Sequence, residues 1–418
     1  MYTFSINKTW FAFLGFSLVL IRLSFAQPIF VGPDQELTSL KMAIEQASDG
    51  DTIIVKGGTY RESPLFIDKD IVLLGYDQPE IDGESKHQIL FVKTDHVVIN
   101  GFLFSNAGLS HTSDNAAIRL DGVKGGEIRN NTLNNNFFGI YLARTEGVQI
   151  IDNTIRSNAQ RESTSANGIH LWNSKEILVS NNQVIGHRDG IYLENVDNSE
   201  VTNNFTEGNL RYGLHFMFSN DCLYLENTFS KNGAGVAVMY SDRVLMGNNR
   251  FVNNWGSSSY GLLLKDINES KIYNNHFENN TTAIRMEGTN RTVIKNNRFI
   301  RNGSAVRIMA NSINNRIEQN NFIDNSFDVS TNSRRTNSSF RQNYWSSYTG
   351  YDLTGDGFGD VPFHPVRLFS LLIERNENAM ILMRSLFVDI LDIAERVFPV
   401  LTPEALVDEQ PRMREWKL

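Results

Sequence analysis

The chain has 418 residues, with 39 Lys and Arg against 47 Asp and Glu, and a formal net charge of −8 at pH 7. No basic patch interrupts that balance, so nucleic acid is not an expected partner. Nine prolines and 41% hydrophobic residues argue against disorder, and the single cysteine, Cys222, rules out an internal disulfide.

Residues 1–26 read as a secretory signal. Lys8 leads into an apolar run from Trp10 to Leu20, and Ser24-Phe25-Ala26 is a small-x-small site for cleavage after Ala26. The run is too short, and Arg22 follows too closely, for a spanning helix. Ser39 to Ala47 then has the pattern of a short amphipathic helix, followed by a strand at Thr52 to Val55. A helix here would cover the unpaired end of a stacked architecture.

From residue 117 one outline recurs. Gly168-Ile-His-Leu-Trp172, Gly190-Ile-Tyr-Leu-Glu194, Gly213-Leu-His-Phe-Met217 and Gly235-Val-Ala-Val-Met239 follow one another at intervals of 22, 23 and 22 residues. Equivalent strands open at Ala117, Gly139, Gly261, Ala283 and Ala305. The second and fourth residues are apolar while the third and fifth vary, the alternation of a strand with one face in a core. Fourteen residues beyond seven of these markers stands an asparagine: Asn153, Asn182, Asn204, Asn227, Asn249, Asn275 and Asn297. That regularity predicts an asparagine ladder in a turn, each amide bonding to the coils above and below. Two residues later, Ile155, Val184, Phe229, Phe251, Phe277 and Phe299 predict a second inward stack. The fold expected over 27–340 is therefore all-β: a right-handed parallel β-helix with about three short strands per coil and coils about 4.8 Å apart. Extra residues at Arg156–Asn167 and Trp255–Tyr260 place loops on one side of it, the expected binding side.

Residues 341–367 form an acidic, glycine-rich loop. Asp352, Asp356 and Asp360 are candidate ligands for a hard cation such as Ca²⁺, although their spacing departs from an EF-hand and a tight capping turn accounts for them as well. In the tail, 368–418, helical periodicity places Ala379, Leu382, Met383, Leu386, Phe387, Ile390, Ile393 and Ala394 on one face, and its charges exclude a bilayer span. Such a tail covers the end of the β-helix, docks a partner, or does both.

The third strand position reads Arg119, Tyr141, His170, Tyr192, His215, Ala237, Leu263, Arg285 and Arg307 along the coils. The fifth reads Asp121, Ala143, Trp172, Glu194, Met217, Met239, Lys265, Glu287 and Met309. These side chains are expected to point away from the core, with His187 at the corner beside them. His170, His187, His215, Met217 and Met239 make a candidate metal face. Thioether and imidazole without thiolate suit Cu(I), whereas Zn²⁺ favours Cys, or three His with oxygen. The same residues also suit an apolar patch for a protein partner. Cys222 and Met246 align with apolar core positions, His276 is expected in solvent, and Arg188-Asp189-Gly190 reads as a turn with a local ion pair.

The strings Asn167-Gly-Ile-His-Leu-Trp-Asn-Ser174, Gly186-His-Arg-Asp-Gly190, Asn209-Leu-Arg-Tyr-Gly-Leu-His-Phe-Met-Phe-Ser219 and Gly233-Ala-Gly-Val-Ala-Val-Met-Tyr-Ser241 resemble the NosD family. Asn254-Trp-Gly256, Tyr260 to Lys265, Asn343-Tyr-Trp345, Asp356 to Pro362 and Leu401-Thr-Pro403 fit it as well. The resemblance implies a periplasmic, non-enzymatic copper chaperone or scaffold for maturation of nitrous oxide reductase. Its implied partners are an ABC transporter permease and ATPase, a copper-donor lipoprotein and apo nitrous oxide reductase. Two alternatives stand beside it: a carbohydrate-active β-helix enzyme, which requires opposed carboxylates in a groove, and a metal-free docking scaffold.

Overall fold

Three-residue strands with one inward side chain outnumber all others in this chain, and they gain stability only by stacking. The computed structural model describes residues 28–110, 112–333, 337–382, 385–397 and 406–418. The predicted signal at 1–26, Met383 of the tail pattern and Leu401-Thr-Pro403 lie outside the described residues. The chain winds as a right-handed parallel β-helix with three sheets of 14, 12 and 13 strands. In a typical coil, Gln149–Ile151 belongs to the first sheet, Thr154–Arg156 to the third and Ile169–Lys175 to the second. All pairings between consecutive coils are parallel, so each inward position forms an apolar column. Ile150, Val179 and Val201 make one such column, fully buried.

The predicted asparagine ladder is present. Asn153 Nδ2 donates to Asn182 Oδ1 at 3.0 Å, and the same bond repeats from coil to coil as far as Asn320 and Asn343. The residue before each of these asparagines, such as Asn181 (φ 57°), Asn203 (φ 56°) or Asn274 (φ 54°), takes the left-handed conformation that asparagine tolerates. Beside the ladder, Phe229, Phe251, Phe277, Phe299, Phe322 and Trp345 stack face to face at 4.2–5.2 Å. A second ladder runs through Asn209, Asn232, Asn254, Asn280, Asn302 and Asn325.

Both ends are covered. Helix Leu40–Gln46, capped by the Ser39 hydroxyl on the Met42 N–H, buries Leu40, Ala43 and Ile44 against the first coil. At the other end, helix Leu368–Arg375 packs Phe369 on Phe327, and Arg307 pairs with Glu374 at 2.6 Å. The helical periodicity of the tail does not announce a second cap, the extended stretch 406–418. There Asp408, fully buried, accepts from the Asn343 N–H and Nδ2, from Trp345 Nε1 and from the Gln342 N–H.

The acidic loop turns on its own carboxylates. Asp352 accepts from the Gly355 and Gly357 N–H groups, Asp356 from Phe358 and Asp360 from Leu353, at 2.6–2.9 Å. Those bonds hold the Asp352 carboxyl below its ordinary range.

Candidate functional site

The register across the second sheet is the one expected from the repeat. Tyr141 pairs with His170, His170 with Tyr192, Tyr192 with His215 and His215 with Ala237. In the next column Trp172 pairs with Glu194, Glu194 with Met217, Met217 with Met239 and Met239 with Lys265. These columns point away from the core, but the expectation that they stand free in solvent is not met. The loops before the marker strands lay a second layer over them: Ala166 joins Ala116, Phe138, Tyr141 and Ala143 in a separate apolar cluster, with Trp172 against it.

His170 is only 8% exposed. Its ring stacks on Tyr141 (4.5 Å, 13°) and meets Phe138 and Tyr192 edge-on. Arg188 donates to Asn167 Oδ1 at 3.1 Å, which fixes the amide so that Asn167 Nδ2 donates to His170 Nδ1 at 2.8 Å. The proton of His170 is therefore on Nε2, which is buried without a partner. Burial, and then the Arg188 charge, lower its pKa to about 3.

His215, 5% exposed, lies against the rings of Tyr192 and Tyr212, each at 4.8 Å, and neither of its ring nitrogens has a hydrogen-bond partner. Its Nδ1 stands 3.8 Å from Asp189, beyond hydrogen-bond length. The ion pair expected from the Arg188-Asp189 turn forms instead across coils. Arg211, one coil on, grips fully buried Asp189 through Nε and Nη2 at 3.0 and 2.8 Å, while Arg188 turns to Asn167. Burial alone would raise the Asp189 carboxyl; His215 and Arg211 facing it bring it below its ordinary range.

Met217 and Met239 are half-buried neighbours on adjacent coils. Tyr192 Oη donates to Glu194 Oε2 at 3.1 Å and lies 3.5 Å from Met217 Sδ. The residues that follow the methionines, Phe218 and Tyr240, are exposed, stacked at 5.1 Å and left-handed at φ 53°. Equivalent positions elsewhere carry Gly122, Asn173, Asn195, Asp266 or Gly288, which that backbone favours, and Arg144 at φ 54°.

The candidate residues therefore separate. His215, Met217 and Met239 share one face. His170 is two coils from His215 with the Tyr192 ring between them. His187 does not line the corner beside the ladders: it is fully buried within the second asparagine column, its N–H donating to Asn209 Oδ1 and its Nδ1 3.3 Å from Ser165. No three His, Cys, Asp or Glu side chains among the described residues converge to hold a metal ion. His215 with the two thioethers is instead a soft donor set suited to Cu(I). Cys222 and Met246 are buried as expected, and His276 is partly exposed with Glu278 at 3.0 Å. Arg211 and Asn167, which wall the histidines, carry no signal in the repeat because they lie in the irregular turns before the marker strands, and Tyr212 opens its strand at a position whose residue changes from coil to coil.

Among solved structures, an exopolygalacturonase of Yersinia enterocolitica superposes with a TM-score of 0.51 at 13% identity, covering 75% of this chain and 78% of its own. The tailspike protein Dettilon reaches 0.51 at 13% identity, covering 70% and 63%. At that identity both speak for the fold alone. The family model described as periplasmic copper-binding protein (NosD) matches residues 157–356, the stretch holding the whole His/Met face. A Stutzerimonas stutzeri protein named probable ABC transporter binding protein NosD is 28% identical over 354 residues, 80% of each chain. A Pseudomonas aeruginosa protein of the same name is 30% identical over 378 residues, 84% of this chain and 85% of its own. With that identity sustained along nearly the whole solenoid, the chain belongs to the NosD family.

Proposed function

We propose that this protein is a periplasmic, non-enzymatic carrier of Cu(I) for assembly of the copper centres of nitrous oxide reductase. The carrying observation is the register that sets Met217 on Met239 beside His215, whose two nitrogens are buried without a hydrogen bond, Nδ1 facing the Asp189 carboxylate at 3.8 Å and Nε2 facing no recipient. A buried ring nitrogen without a hydrogen bond is costly unless something else satisfies it. Cu(I) is cargo here: thioether and imidazole donors bind it without thiolate, which oxidises outside the cytoplasm. A copper-donor lipoprotein would load the face and apo nitrous oxide reductase would receive the ion. The names of the relatives support a partnership with an ABC transporter, its permease and its ATPase.

The test is an anaerobic Cu(I) titration of the mature protein against a chromophoric chelator, beside a His215→Ala/Met217→Leu/Met239→Leu variant. The variant should bind at least about tenfold more weakly, a difference of about 1.4 kcal/mol or more. Equal binding by both proteins would move the site off this face, and no binding by either would leave a docking scaffold.

A further inference from the structure

The methionine pair does not sit in a neutral surrounding. Along its column the order is Glu194, Met217, Met239, Lys265, each in register with the next. Glu194 forms no ion pair among the described residues; its recorded contact is the hydrogen bond from Tyr192, the same phenol that touches Met217 Sδ. Lys265 likewise makes no ion pair among the described residues, since its register neighbour Glu287 is held by Arg285, and its ammonium lies 5.8 Å from the Tyr240 ring centre. An unpaired anion and an unpaired cation thus bracket two thioethers at half-buried positions.

We infer that this bracket polarises the thioether site, so that Glu194 supplies the counter-charge for a univalent soft cation held at the Met217 end while Lys265 repels it from the Met239 end. The inference rests on the copper reading above and adds which charged groups of this chain balance and place the cargo. With coils about 4.8 Å apart, an ion at Met217 is one coil from the carboxylate and two from the ammonium; at Met239 the distances reverse. Thioethers carry no charge, so a cation leaving water for them needs an anion close by. One carboxylate balances Cu(I) or Ag(I) and leaves a divalent ion uncompensated. Tyr192 acts as a positioning residue: its hydroxyl donates to Glu194 Oε2 and holds that carboxylate beside Met217.

The experiment is anaerobic competition of the full mature chain with bicinchoninate for Cu(I), repeated with Ag(I) as displacing ion. Glu194→Gln, Lys265→Gln, Met217→Leu and Met239→Leu are measured singly. Glu194→Gln should weaken Cu(I) binding about tenfold and Lys265→Gln should tighten it, the sizes expected of groups flanking a metal site. Met217→Leu should cost more than Met239→Leu, and Ag(I) should displace Cu(I) where Zn²⁺ does not. Opposite effects of the two charge changes cannot arise from a shared loss of folding. If both methionine variants weaken binding but the two charge variants leave it unchanged or move it the same way, the polarised site is wrong and the copper reading stands. If the unaltered protein does not compete for Cu(I), both fall.

Discussion

His187 stands five residues after Asn182, the place taken by Asn209, Asn232, Asn254, Asn280 and Asn302 in later coils. It completes the second ladder with its backbone N–H but leaves Nε2 buried without a partner. Burial lowers its pKa to about 4, and that of His170 to about 3. In the unfolded chain both titrate near 6.5, so below that pH the unfolded state binds more protons and the folded state loses stability as pH falls. Between pH 6.5 and pH 5 the loss is about 2 kcal/mol for each histidine. His187→Asn should fit the column, satisfy the turn and remove one of these two contributions. Denaturant unfolding at pH 7 and pH 5 should show the difference between the two conditions shrinking by about 2 kcal/mol in the variant. An unchanged difference would mean that His187 is already solvated or charged in the fold.

At the scale of the coil, the asparagine turn ties each coil to the next. The Asn249 side chain accepts from the N–H and Nδ2 of Asn227 and donates to Tyr224 O and Asn275 Oδ1. Asn249→Ala leaves the buried Asn227 N–H without its acceptor. It takes one bond each from Tyr224 O, Asn227 Nδ2 and Asn275 Oδ1, the last two keeping Val201 O and the Asn249 N–H as partners. It should cost about 2–4 kcal/mol. Because coils contact only their neighbours, the loss should appear as faster amide exchange centred on coils 223–278 rather than uniformly. This ladder was legible in the sequence because its spacing from the marker strand is constant. The second ladder was not: its distance to the next marker is 4 at Asn209, 3 at Asn232 and 7 at Asn254, since the loops between them differ in length. Counted from the first ladder the interval is always five, so the signal lay in the other direction along the chain. The outward columns were legible for the same reason as the first ladder, being tied to the strand. Their burial was not, because Ala166, Asn167 and Arg211 cover them from irregular turns that periodicity cannot place.

For the whole molecule the open question of a solenoid is its ends, since a stack with unpaired strands recruits further strands. At the C-terminal end a carboxylate solves this. Asp408 takes the place of the next asparagine, and four N–H donors from the last coil converge on it. An asparagine there would turn one amide donor toward those donors. The cap frees helix Leu386–Val397 from sealing the fold, and it carries a face of exposed Leu386, Phe387, Ile390 and Ile393, the last two 54% and 61% exposed. No helix among the described residues is long and apolar enough to cross a membrane. Four exposed apolar side chains on one helix face are suited to lie on a partner or at a membrane surface. Under the proposed function the partner is the transporter permease. Removing the entire tail would test this badly, because it would also strip Asp408 and Trp416 from the last coil. Ile390→Asp with Ile393→Asp leaves the cap intact and touches only the exposed face. The doubly substituted protein should unfold within about 0.5 kcal/mol of the unaltered chain, as surface changes do, and should bind Cu(I) equally well. Affinity purification with the permease and ATPase should then recover the complex from the unaltered protein and lose it from the variant. Recovery of equal complex would assign docking to the β-helix itself, where the Phe218–Tyr240 pair is the next exposed apolar feature to substitute.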